Sequence, residues 1–507
     1  MSGAILELAD VRDKARVEDA ADVVIIGTGA AGATAARVLT EAGLDVVMLE
    51  EGAHVKLEQL SSDMWSSFKH IWRDLGFQVA SGRAITPILQ GRCVGGTTAI
   101  NGAIIHRMPE KIWARWRDDF GLGDALPYAE LDRIWDTLDR ELHVGPAPEA
   151  VLGRNNTLMR TATERLGIAG NLIRRNVKDC EGSAHCNQGC PTARRQSMNV
   201  SYVPRAVEAG ARVYATCTAT SLTTRQGRAT GVVGRFRDPL SGEEGPLLRV
   251  AARRAVLCAA SAIQTPLLLA QNRVGRGSGV LGRRLQAHPG TAVVGVFDQK
   301  VEMSRGATQG YESVHYWDER MKFETVAMPP ELAMARLPGL GPELMRELAA
   351  YAHLAVWGVQ VRAEAVGSVR AGLFGGTHIE YDMTDADIRV LKLGIRRLTE
   401  MMFAAGAREV LPGVHGLPPS IRSVDELEPM FRMPDDPRLF HTIAAHLFGT
   451  ALMGGSAFNS VVDPTFQTHD LQGLYVVDSS VFPTNMGVNP QHTISALAWL
   501  AAERLSS

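Results

Sequence analysis

Residues Asp22–Gly52 read "DVVIIGTGAAGATAARVLTEAGLDVVMLEEG". An apolar strand runs into a Gly-rich turn, a helix of small residues ends at a glycine, and a second apolar strand closes on acidic residues. This order predicts a βαβ unit. Gly27, Gly29 and Gly32 have GxGxxG spacing. The first permits the tight turn, the second lets the backbone approach a pyrophosphate, and the third lets the helix pack against the strand. Free N–H groups at the helix N-terminus then face the phosphates. Glu50, roughly 20 residues on, is suited to accept hydrogen bonds from a ribose 2′-OH. An acid there would repel a 2′-phosphate, so the expected ligand is FAD or NAD, not NADP. The fold class is α/β, with a Rossmann-like nucleotide-binding domain.

Outward from this unit the chain extends to 507 residues, 45% hydrophobic and 21% charged, enough for two or three domain-sized cores. A formal net charge of −2 gives no electrostatic footprint for nucleic acid, and no Lys/Arg run suits an anionic membrane. A small-molecule partner is expected. The opening "MSGAILELADVRDKARVEDA" mixes acids and bases and has no apolar h-region, so neither a signal peptide nor an anchor is expected. The longest apolar runs are broken by Gly or charge, so no integral membrane segment is expected either. Six cysteines are too few for a disulfide scaffold, which makes a cytoplasmic, reducing location the default.

A second Gly-rich loop lies in "QGRCVGGTTAINGAIIHR" (Gln90–Arg107), where Gly96, Thr97, Thr98 and Asn101 suit a backbone laid against a flat ring or a phosphate chain. Next come "CAASAIQTPLLLAQN" (Cys258–Asn272), "GVLGRRLQAHPG" (Gly279–Gly290) and the block that begins "HLFGTALMGG" at His446 and ends "GVNPQHTISALAWLAAERL" at Leu505. In this order the segments resemble the glucose-methanol-choline (GMC) family of FAD-dependent alcohol oxidoreductases, over nearly the whole chain. Within it they are similar to the cholesterol oxidase and long-chain alcohol oxidase branch. Thr97 and Thr98 stand where Ser is usual, Ser261 replaces a usual Gly, Leu447 a common Pro, and Ala451 a frequent Cys. The resemblance implies FAD as cofactor. Ile100 stands where covalent-flavin members carry His, which implies that the FAD is non-covalent. It also implies an FAD-binding domain over 18–290 with a Cys-rich insertion at 176–200. A substrate domain built on an antiparallel sheet with covering helices would span 291–439, and 440–507 would return to the FAD-binding domain carrying the catalytic residues.

Asn489 and Pro490 precede an Ala/Leu-rich helical segment, where Asn suits a cap and Pro suits the first turn. The resemblance adds a chemical role. It implies that His446 of "HLFGT" and Asn489 of "GVNPQHTI" flank the oxygen of an alcohol whose carbon gives a hydride to flavin N5. His446 would act as base and Asn489 as anchor of the oxygen. The helix from Pro490 would aim its positive end at the flavin N1/C2 edge, and Asp478 resembles the family residue near the ribityl chain. His492, His106, His288 and His441 are read as structural histidines. No HExxH or paired CxxC spacing supports a zinc hydrolase.

"DCEGSAHCNQGCPTARRQS" groups Cys180, Cys186 and Cys190. They could hold an iron–sulfur cluster, could bind zinc with His185, or could be plain thiols, and no metal is assigned. The segment Asp385–Ala407 has helical spacing ending at Gly406, with its Met residues as core filler. Met328, Met334 and Met345 could line an adaptable apolar pocket or simply pack in a core or lid. Glu331, Glu343, Glu347, Asp382 and Asp385 read as a solvated face, with attraction of an amino-sugar as the alternative. The expected reaction is oxidation of a primary alcohol of a sizeable molecule to the aldehyde or ketone, with oxygen or another electron acceptor. The alternatives are sugar or aminoglycoside hydroxymethyl oxidation, and a non-redox relative such as a lyase or flavin photoenzyme.

Overall fold

The computed structural model describes residues 3–372 and 376–507. Met1 and Ser2 of the opening stretch, and Gly375 at the head of "GGTHIEYDMT", lie outside the described residues. The expected βαβ unit is the strand Arg16–Ile26, the helix Ala30–Glu41 and the strand Val46–Leu49. The strands pair in parallel from Val23↔Val46 to Ile26↔Leu49, and these residues are all buried. Burial on both faces is why the sequence here is a continuous apolar run and not an alternating one.

This unit sits inside an eight-stranded sheet. In spatial order it runs Ala4–Leu6, Arg212–Tyr214, Val46–Leu49, Arg16–Ile26, Glu244–Cys258, Arg228–Arg237 and Cys217–Arg225. The last strands form an antiparallel hairpin ribbon, whereas the centre is parallel. The long strand Glu244–Cys258 alternates between buried and accessible positions where it meets the ribbon, then becomes wholly buried. At that buried end, Val256–Cys258 pairs in parallel with Leu474–Val476, so the C-terminal part of the chain completes the sheet centre. The helices Ala30–Glu41 and Gln491–Ser506 pack against one another on small and apolar residues.

The second sheet has seven strands, all antiparallel, in the order Glu409–Leu411, Gln286–Val296, Leu354–Val361, Met321–Thr325, Tyr311–Ser313 and Asn171–Leu172. Ile443–Phe448 joins it alongside the start of Gln286–Val296. The helix Asp385–Ala405 packs on the sheet. It opens with a Thr384/Asp387 capping box and stops at Gly406, whose φ of +100° suits a residue without a side chain. Met401 and Met402 are fully buried there as core filler, whereas Met334 and Met345 are exposed.

Candidate active site

The Gly-rich turn follows Ile26 at the carboxyl end of its strand. At Gly27, φ is +101° and a Cβ would stand 2.4 Å from the Ala259 carbonyl oxygen; at Gly32 a Cβ would stand 2.0 Å from that of Gly27. Close packing therefore requires both glycines. A Cβ on Gly29 meets nothing within 4 Å, which leaves backbone exposed at the turn, and the second loop comes up beside it, with Gly96 at φ +54° against Gly29 Cα. Glu50 follows the next strand. Its carboxylate accepts from Thr28 Oγ1 at 2.7 Å, Thr28 N at 3.1 Å and Gly52 N at 2.9 Å, and burial pushes its pKa up to about 7. Thr28 Oγ1 also accepts from Gly95 N at 3.0 Å, locking the two Gly-rich loops together.

Asp478 follows Val476 and accepts from Ser261 N at 3.0 Å, Thr265 Oγ1 at 2.5 Å and Ser480 N at 2.8 Å. Ser261, which replaces the glycine expected from the resemblance, has φ +91°, a region that costs a side-chain-bearing residue energy and explains why Gly is usual. Thr97 Oγ1 accepts from Gly91 N, and Asn101 donates to Gln491 Oε1 at 2.7 Å. The carboxyl ends of the parallel strands, where open α/β sheets bind ligands, thus carry Gly27, Glu50, Ser261 and Asp478. Nearby polar atoms are buried without protein partners: Asn199 Oδ1, Ser480 Oγ, Gln491 Nε2 and Thr493 Oγ1. A cradle with an open glycine and orphaned polar atoms fits a bound dinucleotide with a polar ring system.

His446 and Asn489, 43 residues apart in sequence, meet Nε2 to Nδ2 at 3.5 Å. His446 sits in the strand Ile443–Phe448 at a register shift opposite Ala287–Pro289. Such an irregularity turns a side chain out of the ladder. His446 is half-buried as a residue. Burial, then the charges of Lys322 and His106, push its pKa down to about 3, so the ring is neutral. His288 Nε2 accepts from Gly487 N at 2.8 Å, and burial holds His288 neutral too. Its one hydrogen is therefore on Nδ1, which faces His446 Nδ1 at 3.3 Å. Asn489 is oriented as firmly, because its Oδ1 accepts from Lys322 Nζ at 2.7 Å and its Nδ2 faces His446. The expected capping role of Asn489 is not found. The helix runs Gln491–Ser506, Pro490 is its N-cap and Pro490 O accepts its first bond, while the Asn489 side chain is engaged with Lys322 and His446.

Sequence reasoning missed Lys322. Its ammonium is buried and bonded to Glu312 Oε2 at 2.9 Å, Glu324 Oε2 at 2.8 Å and Asn489 Oδ1. Burial works to lower its pKa, but the two carboxylates outweigh that and hold it above the ordinary lysine value. Glu312 also takes His106 Nε2 at 2.9 Å and Asn171 Nδ2 at 3.0 Å; burial would raise its pKa, yet Lys322 and His106 hold it well below the ordinary value. The available signal was "MKFET", in which Lys322 and Glu324 alternate with buried Met321, Phe323 and Thr325. A cavity of about 560 Å³ borders this cluster at Glu312, lined also by His106, Val488, Arg174, His315 and Trp317.

The other expected residues lie elsewhere. His492 is fully buried and bonds Asp139 at 2.8 Å, as a helix brace. His441 is exposed, as are Glu331, Glu343, Asp382 and Asp385. Cys186 Sγ accepts from Arg175 Nη2 at 3.1 Å, and Cys190 Sγ from Arg195 N at 3.4 Å. Among the described residues, no three His, Cys, Asp or Glu side chains converge to hold a metal, and no helix is long and apolar enough to cross a membrane.

The two sheets meet at the paired His446 and Asn489, and the family matches that follow make the chain an oxidoreductase acting on CH–OH groups. More narrowly, the chain belongs to the GMC oxidoreductases, a family that binds FAD: its N-terminal family profile matches residues 21–290 and its C-terminal profile 376–498. An uncharacterised GMC-type oxidoreductase of Mycobacterium tuberculosis is 37% identical over 96% of this chain and 75% of its own length. A long-chain-alcohol oxidase of Arabidopsis thaliana is 27% identical over 94% of this chain and 67% of its own length. Pyridoxine 4-oxidase from Mesorbium loti shares the fold, with a TM-score of 0.68 over 95% of this chain and 98% of that one at 18% identity.

Proposed function

We propose that the protein oxidises a primary alcohol to the aldehyde with non-covalently bound FAD. Residues 18–290 and 440–507 would hold the cofactor and 291–439 would supply most of the substrate side. Gly27, Gly29, Gly32 and Glu50 would hold the adenosine and pyrophosphate end. Gly96, Thr97, Asn101, Asp478 and Asn489 would lie along the ribityl and ring end, where the buried, unreactive Ile100 supports a non-covalent attachment. FAD, when bound, supplies an acceptor for the hydride that leaves the alcohol carbon, and oxygen or another acceptor takes the electrons onward. A cytoplasmic setting suits six cysteines that are all free thiols.

The observation that carries this reading is the facing of His446 Nε2 and Asn489 Nδ2 at 3.5 Å. An alcohol oxygen between them would meet both, and the bond from Asn489 would strengthen as negative charge grows on it. His446, held neutral by its burial, would act as the base, and Asn489 Nδ2–H would anchor the oxygen. The surroundings favour a polar alcohol. Glu324 and Gln309 share a hydrogen bond beside Lys322, Gln360 Nε2 is buried without a partner, and the cavity walls carry His and Arg side chains. A hydrocarbon chain would leave these groups desolvated and unpaired, so a sugar or amino-sugar hydroxymethyl group supports the site better than a fatty alcohol. Anaerobic mixing of the yellow holoprotein with fatty, aromatic, sterol and amino-sugar alcohols tests this. We expect the hydroxyl-rich alcohols to bleach the flavin, and His446→Ala to slow bleaching about 10²- to 10³-fold with flavin retained. A flavin that no alcohol bleaches in the dark would overturn the reading.

A further inference from the structure

We propose that Cys186 is a thiolate and the site at which hydrogen peroxide oxidises this protein, with Cys180 as the thiol that closes a disulfide onto it. The chemistry is separate from the alcohol oxidation and does not rest on it. Its origin is a charge imbalance in the Cys-rich insertion. Arg175 and Arg195 are 1% and 0% exposed. Among the described residues, every hydrogen bond that their guanidinium groups make goes to a carbonyl oxygen or a sulfur, and none to a carboxylate. Arg175 donates from Nε to Gly102 O at 3.2 Å, from Nη2 to Cys186 Sγ at 3.1 Å and from Nη1 to Cys180 Sγ at 3.9 Å. Arg195 donates from Nη1 to Asn101 O and to Cys186 O, each at 2.6 Å, and from Nη2 to Ala99 O. Two buried cations without an anion are costly. The Cys186 thiol stands in the field of both, and ionising it supplies that anion. Burial would raise its pKa, yet the Arg175 and Arg195 charges hold it below the ordinary thiol value. Thr308 Oγ1 is buried, has no other partner, and faces the same sulfur.

The other buried cysteines show what the guanidinium groups add. Cys93, Cys217 and Cys258 are at least as buried as Cys186 but accept no bond from an arginine side chain, and burial pushes their thiols up, that of Cys258 to about 12. Cys190 Sγ accepts a peptide N–H, that of Arg195, and no guanidinium. Since the thiolate is the nucleophile, the oxidant should select Cys186. The steps balance with hydrogen peroxide, the two-electron reduction product of oxygen. The Cys186 sulfur attacks one peroxide oxygen, an S–O bond forms, the O–O bond breaks, and the departing hydroxide takes up a proton as water. Sulfur has lost two electrons and peroxide has gained them. Cys180 is partly exposed and sits at the other amino end of the same guanidinium. Its sulfur then attacks that of Cys186, the S–S bond forms, the S–O bond breaks, and hydroxide leaves with the Cys180 proton as a second water. The disulfide carries no charge. Arg175 and Arg195, which hold the carbonyls of Ala99, Asn101 and Gly102 in the second Gly-rich loop, thereby lose their counter-ion.

Reduced holoenzyme, freed of reductant, is treated with a small excess of hydrogen peroxide at neutral pH, digested and read by mass spectrometry. We expect the Cys180–Cys186 disulfide to form at least about 10²-fold faster than any oxidation of Cys93, Cys217 or Cys258. In Cys180→Ser the reaction should stop at a sulfenic acid on Cys186, trapped by dimedone, and Cys186→Ser should give neither product. The wild-type digest decides the site even where a variant fails to fold. Flavin fluorescence follows the consequence for the loop: the disulfide form should release FAD several-fold faster than the reduced form, and dithiothreitol should reverse this. Cys186 left reduced while another cysteine reacts overturns the assignment, as does a wild-type product that stops at the sulfenic acid. Stoichiometric iron or zinc held by wild type and lost in Cys186→Ser overturns it too. Equal flavin release from the two forms overturns the role of the thiolate as counter-ion to the loop-holding arginines.

Discussion

The two sheets build their halves of the site by opposite means. Around the eight-stranded sheet, ligand-facing features are backbone: a left-handed Gly27, an open Gly29, and peptide N–H groups at strand ends, with Glu50 and Asp478 tying turns together. Around the seven-stranded sheet they are side chains on regular strands, a buried lysine between two glutamates with a histidine and an asparagine attached. Backbone sites tolerate no added volume but much change of charge. Side-chain sites tolerate the reverse poorly, because each buried charge depends on its neighbours.

That contrast can be broken from either side. The largest effect should come from Gly32→Val, whose Cβ has no room against the Gly27 carbonyl. We expect a loss of at least about 4 kcal/mol in stability and no bound flavin, seen by denaturant melts and by the absence of yellow colour. A soluble, yellow Gly32→Val would show that the turn is not steric in origin. Lys322→Met should cost about 3–5 kcal/mol, since it leaves Glu312 and Glu324 buried without their cation. Adding Glu312→Gln should recover part of that loss in the same melts, and strict additivity would contradict the coupling.

A smaller and sharper test is the pH dependence of the flavin-free protein. Burial raises the folded-state pKa of Glu50 from 4.5 to about 7, so the folded state holds this proton more tightly than the unfolded chain. The Glu50 contribution is then fully present below about pH 4.5 and is lost as pH rises to about 7, a fall of at most about 3 kcal/mol. Glu50→Gln should remove that fall, so that its stability relative to wild type increases between pH 5 and pH 8. Parallel pH profiles of the two proteins would refute this.

The same contrast explains what could be read from residues alone. Gly27, Gly29, Gly32 and Glu50 follow a spacing that backbone geometry imposes, and the fold around them matches it. His446 and Asn489 were found through their motif neighbours, and the structure brings them together. Lys322, Glu312 and Glu324 were passed over because charge alternating with apolar residues reads as a strand with one face in water. Here both faces are interior, and the polar one turns toward the junction of the sheets. The exposed acids at Glu331, Glu343, Asp382 and Asp385 drew attention instead, because sequence shows charge but not depth. His288 was dismissed for the same reason: nothing near it in sequence reveals that Gly487 and His446 occupy its two nitrogens.

The pairing of Leu474–Val476 with Val256–Cys258 also sets a timetable for biosynthesis. While the ribosome is still translating the middle of the chain, the buried end of the strand Glu244–Cys258 has only one neighbour, Arg16–Ile26, and its other side is a bare parallel edge. That edge stays open until nearly the whole polypeptide has emerged, because its partner is separated from it by more than 200 residues. Nascent chains should therefore be open to mispairing and good clients for chaperones through most of their synthesis. A message truncated before codon 474 would yield a product that aggregates instead of a smaller folded protein.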